Sequence, residues 1–246
     1  DRLVDEGTER LERPMSALIS TGLLGGVDIG FGVLAYFVVK ESTGDTVLAG
    51  LAFSIGFVAL LLARSELFTE NFLVPVTAVV ARSGSVRELA RLWVVTFVAN
   101  LVGGLVIMAV IVWAKPDLHA VAVETGTHYA ELGVTGESFA LAVLAGAVIT
   151  LMTRMQHATE SLGIQLVPAI LFGALLVGAE LFHCVLDALF MMAALLAGAD
   201  FGVGEAVAGV AWALLGNVVG GVGLVTGLRL IRVPKRVEEA RDGEQD

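Results

Sequence analysis

Charged residues are scarce in this sequence. They make up 16% of its 246 residues, whereas an ordinary soluble domain has about 25%. The hydrophobic share is 57%, and the mean hydropathy is +0.85. The scarcity is sharper between the ends, because the charges are concentrated in 1–14 and 232–246. This composition excludes a soluble multidomain enzyme and predicts an all-α integral membrane protein.

Cysteine occurs only once, as Cys184 inside an apolar run. A single cysteine excludes an intrachain disulfide and a zinc cluster of the CxxC kind. The sequence also lacks a cluster of metal ligands and a nucleophile placed beside a base, so we expect no enzyme, metal or cofactor. The net charge of −10 comes largely from loops and ends and does not indicate a nucleic-acid surface.

Six apolar segments are long enough to cross a bilayer, which needs about 20 residues each. They run approximately over 15–39, 47–81, 89–114, 137–157, 164–197 and 205–231. The second and fifth are too long for one straight helix and contain polar residues near the middle, so we expect both to be broken. The sequence thus predicts a transmembrane domain over 15–231, between an N-terminal segment 1–14 and a C-terminal tail 232–246.

Lysine and arginine indicate the orientation, because positive residues are retained on the cytoplasmic side. With the N-terminus inside, twelve of the fifteen positive residues lie in inner segments and two lie in outer loops. The remaining one, Arg64, lies within the second span. We therefore expect a multi-pass protein of the plasma or inner membrane, embedded in the lipid bilayer, with both termini cytoplasmic.

Two short motifs recur in the two halves of the chain. The residues 66–69 (ELFT) resemble 180–183 (ELFH), 114 positions later, and 100–104 (NLVGG) resemble 217–221 (NVVGG). The matches keep their order and fall in corresponding spans, so they predict a 3+3 inverted repeat of 15–114 and 137–231. Broken helices at matching positions are typical of a transport site near the bilayer midplane.

The motifs ELFTEN at 66–71 and NVVGG at 217–221, together with His183, resemble the formate/nitrite transporter family over about residues 14–231. The resemblance implies an aquaporin-like protomer with its own pore, assembled as a homo-oligomer, a pentamer. It also implies passage of small monovalent anions of weak acids, such as formate, nitrite, hydrosulfide or acetate.

The same resemblance implies roles for individual residues. Thr69 from the first break would face His183 from the second. By spacing from this pair, the hydrophobic constrictions of the pore would be Phe53, Phe57, Leu67 and Leu176. The chain departs from the family at two positions: Phe182 replaces a frequent acidic residue before the histidine, and Asp187 replaces a frequent asparagine four positions after it.

Each of the two pore candidates also has a simpler interpretation. Thr69 could cap the helix that begins near Asn71, because threonine often has this role at a break. His183 could be a packing residue satisfied by the backbone or by Asp187, because an imidazole at membrane depth needs a partner. The functional interpretation is that both side chains contact the solute, and that His183 donates a hydrogen bond to it and, from its charged form, a proton.

Seven further polar residues are candidates for a scaffold of the helix breaks: Arg64, Glu66, Asn71, Asn100, Glu180, Asp187 and Asn217. Glu66 and Glu180 occupy matching positions in the two motifs and would hold the breaks open, with Arg64 neutralising one of them. Direct contact with the substrate is the alternative for both carboxylates. Asn100 and Asn217 would tie loop carbonyls near the breaks, or else form hydrogen bonds between helices beside close glycine contacts.

The sequence as a whole predicts a channel or proton-coupled transporter for small monovalent weak-acid anions. The alternative is a channel for a neutral small solute, such as water, glycerol or an ammonia-like molecule. An aquaporin proper would have two NPA boxes, and this sequence has none.

Overall fold

The computed structural model describes residues 2–228, and the regular structure in this part is helical throughout. The predicted tail 232–246 and the last residues of the sixth apolar segment lie outside the described residues. Eleven α-helices are described: α1 (Arg2–Glu12), α2 (Met15–Thr43), α3 (Thr46–Phe53), α4 (Ile55–Ala63), α5 (Val74–Val80), α6 (Val86–Ala114), α7 (His119–Glu131), α8 (Gly136–Gln156), α9 (Leu162–Gly178), α10 (Leu186–Leu196) and α11 (Val203–Val218). Two 3₁₀ turns span Phe68–Phe72 and Pro116–Leu118, and a π-helical stretch, Val219–Gly227, continues α11.

Five of the described helical segments are long and apolar enough to cross a membrane. They are α2, α3 with α4 as one segment, α6, α8, and α11 with its π-helical continuation. The apolar helices α9 and α10 are shorter, as is the segment Phe68–Val80. The described chain is therefore a bundle of apolar helices in which some segments are too short to span a bilayer alone.

The helix ends follow from local capping. Gly44 takes a left-handed conformation with φ 70° and terminates α2. Asp45 then starts α3, because its side chain accepts hydrogen bonds from the N–H groups of Val47 and Leu48. Ser85 and Glu88 form a capping box at the start of α6.

Two helix pairs pack at very short range. Helix α2 crosses α6 where a Cβ on Gly26 would overlap the carbonyl oxygen of Asn100. Helix α8 crosses α11 in the same way, because a Cβ on Gly146 would overlap the carbonyl oxygen of Asn217. Only glycine allows these approaches, which bring both asparagines into the buried interior.

Helix α1 folds back onto the bundle and packs against α5. Its buried residues, Gly7 and Leu11, are four positions apart and lie on one face. The guanidinium of Arg91 on α6 holds its end by donating to the carbonyl oxygens of Leu11 and Arg13. The segment predicted only as an N-terminal extension is thus an amphipathic helix attached to the bundle.

Candidate functional site

The first interruption of an apolar helix lies between α4 and α5. Helix α4 ends at Ala63, and Arg64 follows in a left-handed conformation with φ 55°. A non-helical stretch leads to the 3₁₀ turn Phe68–Phe72, which contains Thr69, before α5 begins. The polar motif at 66–71 therefore lies in irregular backbone and not on a helix face.

The second interruption lies between α9 and α10. Helix α9 ends at Gly178, and Glu180 has a left-handed conformation with φ 49°. Residues 181–183 have no regular structure, and α10 starts at Leu186. His183 therefore lies just before the N-terminus of a short helix.

The two interruptions meet in the interior at a single polar contact. The Thr69 hydroxyl oxygen lies 2.9 Å from Nε2 of His183. Thr69 is fully buried and His183 is 1% exposed. The structure therefore brings together the two side chains that the family resemblance pairs.

The partners of the His183 ring define its hydrogen-bonding state. The main-chain N–H of Leu186 donates to Nδ1 at 3.1 Å, so Nδ1 is the unprotonated nitrogen. The neutral ring then has its hydrogen on Nε2 and donates it to the Thr69 oxygen. The hydroxyl hydrogen of Thr69 remains available for a solute. The pair can therefore offer one hydrogen-bond donor, the Thr69 hydroxyl, which suits an anion or another oxygen-bearing solute.

Four apolar side chains share the surrounding hydrophobic cluster. The expected constriction residues Phe53, Phe57, Leu67 and Leu176 are each at most 1% exposed. The rings of Phe53 and Phe57 pack edge to face with centroids 5.7 Å apart. The Ser54 hydroxyl between them binds the Ile170 carbonyl at 2.8 Å and ties the α3–α4 junction to α9. The polar contact thus lies in an apolar interior.

Asn100 holds the backbone of the first interruption. Its oxygen accepts from the Phe68 N–H at 2.9 Å, and its amide nitrogen donates to the carbonyl oxygens of Gly22 at 2.7 Å and Glu66 at 2.8 Å. The contacts with Phe68 and Glu66 satisfy buried backbone groups that a continuous helix would have paired. The contact with Gly22 joins the interruption to α2.

Asn217 holds the second interruption with the same set of contacts. Its oxygen accepts from the Cys184 N–H at 3.0 Å, and its amide nitrogen donates to the carbonyl oxygens of Ala142 at 2.8 Å and Phe182 at 2.9 Å. Each asparagine thus binds one N–H group and one carbonyl oxygen of an interruption and one carbonyl oxygen of a neighbouring helix.

The backbone pairs the two interruptions differently from the sequence motifs. The asparagine contacts match Glu66 with Phe182, 116 residues apart, and the left-handed residues Arg64 and Glu180 have the same separation. The equivalence of Glu66 with Glu180 is therefore wrong, and in this pairing His183 corresponds to Leu67. The reason is that the position of each interruption is determined by its left-handed residue and its asparagine contacts. Both involve the backbone and do not depend on which side chains follow.

The two glutamates consequently have different surroundings. Glu66 is 2% exposed and accepts from Arg13 at 3.2 Å and from the Thr21 hydroxyl at 3.3 Å. The side chain of Glu180 is 53% exposed and lies 3.8 Å from Nε2 of His128. Glu180 is thus not the buried carboxylate that we expected to hold a break open. Arg64 is exposed and forms no ion pair with either glutamate in the described part of the chain.

Two more predicted scaffold residues are fully buried. Asp187 accepts the His183 N–H through Oδ2 at 2.5 Å, while its Oδ1 has no hydrogen-bond partner. Asn71 accepts from Arg10 at 3.2 Å through its side chain, and its carbonyl oxygen accepts from Trp93 Nε1 at 3.1 Å. Asp187 thus positions the histidine backbone, and Asn71 connects the first interruption to α1.

A cavity of about 790 Å³ lies beside α1, and we call it the α1 cavity. It opens between α1, the end of α4, the C-terminal end of α8 and the start of α9, and it reaches Glu70, the residue after Thr69. Its lining includes ionisable residues of both signs: Asp5, Glu6, Glu9, Arg10, Arg13, Arg64, Glu66, Glu70, His157 and Glu160.

Ion pairs of α1 form one wall of this cavity, and sequence reasoning missed them. Arg10 binds Glu6 at 2.8 Å, and Glu6 also binds Nε2 of His157 at 3.0 Å. The hydrogen bond with His157 and the nearby Arg10 guanidinium lower the pKa of Glu6 to about 2, against the opposing effect of burial. The helical spacing of Gly7 and Leu11 is the sequence signal that could have revealed this docked helix.

No group of three or more histidine, cysteine, aspartate or glutamate side chains within residues 2–228 is arranged to hold a metal ion. The chemistry of the site is therefore described by its hydrogen-bond donors, its apolar walls and the charges of the α1 cavity.

Comparison with known proteins gives a match to the family model described as formate/nitrite transporter over residues 1–231. Inner membrane protein YfdC of Escherichia coli is 27% identical over 167 residues, which are 63% of this chain and 53% of that protein. The formate channel FocA of Haemophilus influenzae is 31% identical over 106 residues, 41% of this chain and 37% of that protein. The matches thus span about half or less of these relatives' own lengths.

Two solved structures share the fold. A pentameric formate channel with formate bound has a TM-score of 0.74 and 23% identity, covering 90% of this chain and 98% of that one. A second, described as an FNT family ion channel, has a TM-score of 0.80 and 19% identity, covering 94% and 96%. At these identities the likeness establishes the fold.

Proposed function

Because the chain belongs to the formate/nitrite transporter family, a family of transporters and not of enzymes, we propose that it passes small monovalent weak-acid anions across a membrane. Formate, nitrite, hydrosulfide and acetate are the solutes of this class that we expect, and passage occurs by a channel or by proton-coupled transport. The observation that carries the proposal is the buried contact of 2.9 Å between Thr69 and His183.

The proposed architecture has six spans in a 3+3 inverted repeat of 15–114 and 137–231, with an aquaporin-like pore in each protomer. The five long apolar segments form five of the six spans. The remaining span, which is the fifth in chain order, is formed by α9 and α10. The matching contacts of Asn100 and Asn217 support this arrangement. In it, spans two and five are the broken ones, and the helix interruptions lie near the midplane.

The solute passes between apolar constrictions and the polar pair. We assign the constrictions to Phe53, Phe57, Leu67 and Leu176, which are buried in the same cluster. A bare anion crosses such a dry stretch poorly, so passage is easier for the neutral acid or for an anion that receives hydrogen bonds midway. His183 orients Thr69 and shares its Nε2 hydrogen, and the Thr69 hydroxyl donates to the solute.

We place the protein in the plasma or inner membrane with both termini cytoplasmic, on the distribution of its positive residues. In this orientation the α1 cavity is the cytoplasmic vestibule. The assembly we propose is a pentamer, supported by the fold shared with a channel described as pentameric.

Uptake into proteoliposomes tests the function. Purified protein is reconstituted and screened with labelled formate, nitrite, hydrosulfide, acetate and glycerol, with water flux measured separately and protein-free liposomes as the baseline. We expect uptake of one or more weak-acid anions above baseline, and loss of that uptake in His183→Phe, which removes the donor and fills the path. Flux of only water or glycerol would contradict the proposal and support the neutral-solute alternative.

A further inference from the structure

Glu70 is a charged residue that the proposed pathway does not use. It follows Thr69 directly in the 3₁₀ turn Phe68–Phe72, it is half-buried, and it lines the α1 cavity. In the described part of the chain its carboxylate takes part in no ion pair, although the Leu67 backbone forms a hydrogen bond to it. The backbone N–H of Glu70 donates to the Leu67 carbonyl oxygen at 3.1 Å. A carboxylate beside the polar contact is thus open to the cavity.

The cations nearest to Glu70 are already paired with other groups. Arg10 is bound between Glu6 at 2.8 Å and Asn71 at 3.2 Å. His157 is bound to Glu6 at 3.0 Å. Arg10 and His157 therefore influence Glu70 only by electrostatic interaction at a distance. Neither of them forms an ion pair with its carboxylate.

Burial favours a proton on Glu70, and the charges of Arg10 and His157 oppose it, while Glu66 is the neighbouring group that favours it. It is close enough for its negative charge to act on Glu70, and its buried Oε1 has no hydrogen-bond partner because Arg13 and Thr21 bind Oε2. Neighbouring carboxylates oppose each other's ionisation, so a proton on one of them relieves the repulsion.

Arg64 supplies the complementary charge on the same cavity. Its side chain is exposed, lines the cavity and has no ion-pair partner within the residues that the structure describes. An exposed guanidinium attracts small oxyanions and can bind them through two N–H groups. The lining of the cavity thus contains one cation without an ion-pair partner, Arg64, which can receive an anion, and one carboxylate without an ion-pair partner, Glu70.

We propose that Glu70 is the proton donor that converts the incoming weak-acid anion into its neutral acid at the α1 cavity. This rests on the proposed function. The O–H bond of protonated Glu70 breaks, its electron pair stays on the Glu70 carboxylate, and the proton forms a new O–H bond on the anion held near Arg64. The neutral acid then passes Thr69 and His183, and a hydronium ion from the solution in the cavity returns a proton to the Glu70 carboxylate and leaves a water molecule.

The other charged groups that face Glu70 define what else could change with pH. They come from α1, from the stretch after α4, and from the end of α8 with the loop that follows it: Asp5, Glu6, Glu9, Arg10, Arg13, Arg64, Glu66, His157 and Glu160. A variant at one of these residues that leaves Glu70 intact is therefore the proper comparison.

The experiment measures uptake of labelled formate by proteoliposomes at about pH 5.5 and about pH 7.5, over which the formic acid in solution falls about 100-fold. We expect the wild-type protein to lose less than about tenfold of its rate over this range, because burial and the Glu66 carboxylate keep a proton on Glu70 where the acid in solution has lost its own. We expect Glu70→Gln to lose about 100-fold, following the acid in solution, while Glu70→Asp keeps the wild-type profile. Glu70→Ser is a second variant without the carboxyl group. If only one of Glu70→Gln and Glu70→Ser assembles as a pentamer, that variant alone tests the proposal.

Glu9→Gln is the matched control, because it removes one negative charge from the same lining at a side chain that is 75% exposed. We expect it to keep the wild-type ratio of the two rates. A pentameric Glu70→Gln with the wild-type ratio would overturn the assignment, and so would a Glu9→Gln that matched Glu70→Gln. Wild-type protein without uptake above protein-free liposomes would instead contradict the proposed function.

Discussion

The two carboxylate oxygens of Asp187 differ in their hydrogen bonding. Oδ2 accepts the main-chain N–H of His183 at 2.5 Å, and Oδ1 is buried without a hydrogen-bond partner. A buried oxygen without a partner is unfavourable, whereas loss of the acceptor would leave a buried N–H unsatisfied. The residue therefore combines a useful contact with a costly one.

This asymmetry predicts opposite results for two substitutions at Asp187. Asp187→Asn keeps an acceptor for His183 and replaces the unpaired oxygen, so we expect equal or higher stability. Asp187→Ala removes the acceptor, and we expect a loss of about 1–3 kcal/mol. Thermal unfolding of the detergent-solubilised protein measures both. Equal destabilisation by the two variants would show that the carboxylate itself is required.

At the scale of the elements, each helix interruption depends on one asparagine. Asn100 forms three hydrogen bonds with main-chain atoms in and beside the first interruption, and Asn217 forms three in and beside the second. The close glycine crossings place both side chains deep in the bundle, where water cannot replace them.

We predict that Asn100→Asp and Asn217→Asp each lower the free energy of unfolding by about 2–5 kcal/mol. Aspartate keeps the acceptor for one N–H group but lacks the two donor hydrogens, and it buries a charge. Thr96→Val is the control, because Thr96 is fully buried and its hydroxyl has no hydrogen-bond partner. We expect that control to stay within about 1 kcal/mol of the wild type. Thermal unfolding is again the measurement, and similar midpoints for all variants would contradict the role of the asparagines.

The docking of α1 gives a prediction about acid. The pKa of Glu6 is lowered from 4.5 to about 2 by His157 and Arg10, so its contribution is complete above about pH 4.5 and is lost as the pH falls toward 2. A nitroxide on Glu12→Cys would report docking, because Glu12 is exposed and the native Cys184 is buried. We expect constant spectra from pH 7 to 4.5 and greater mobility below about 4.

Glu6→Gln tests the cause of this transition. The amide cannot ionise, so we expect greater nitroxide mobility already at pH 7 and little further change on acidification. A variant that kept the wild-type transition would show that another group controls the docking.

The sequence located the polar segments but not the contacts that organise them. The helices end at Ala63 and Gly178, beside the motifs at 66–71 and 180–183, because polar residues in long apolar runs indicate such sites. The shift of two residues between motif pairing and backbone pairing was not predictable, since the left-handed residues are Arg64 and Glu180 and not the glycine or asparagine that usually indicates this conformation. The contacts of Arg10 and Arg13 required knowing that α1 folds back onto the bundle.

At the scale of the whole molecule, the family resemblance drawn from the sequence is confirmed by the match over residues 1–231. Many large apolar side chains are exposed on the single chain, including Trp113 at 85% and Val86 at 71%. Such surfaces require lipid or neighbouring protomers.

We predict that native mass spectrometry in mild detergent gives an assembly of five times the chain mass of 25.7 kDa. The physical reason is that identical contacts around one axis close into a ring of fixed number. His183→Phe is the control, because its interior position should leave the assembly unchanged. Monomers or trimers as the main species would contradict the pentamer.

The asparagine contacts have a consequence for how this scaffold can change. Asn100 and Asn217 bind main-chain atoms of the interruptions, so they do not select the side chains at Leu67, Thr69 and His183. New chemistry can therefore be installed at Leu67 and Thr69, and at His183 by a side chain that still accepts the Leu186 N–H, while the backbone that presents them stays the same. A combinatorial library restricted to these positions would sample different pore linings on one backbone. The same diversity at the asparagines would yield misfolded chains.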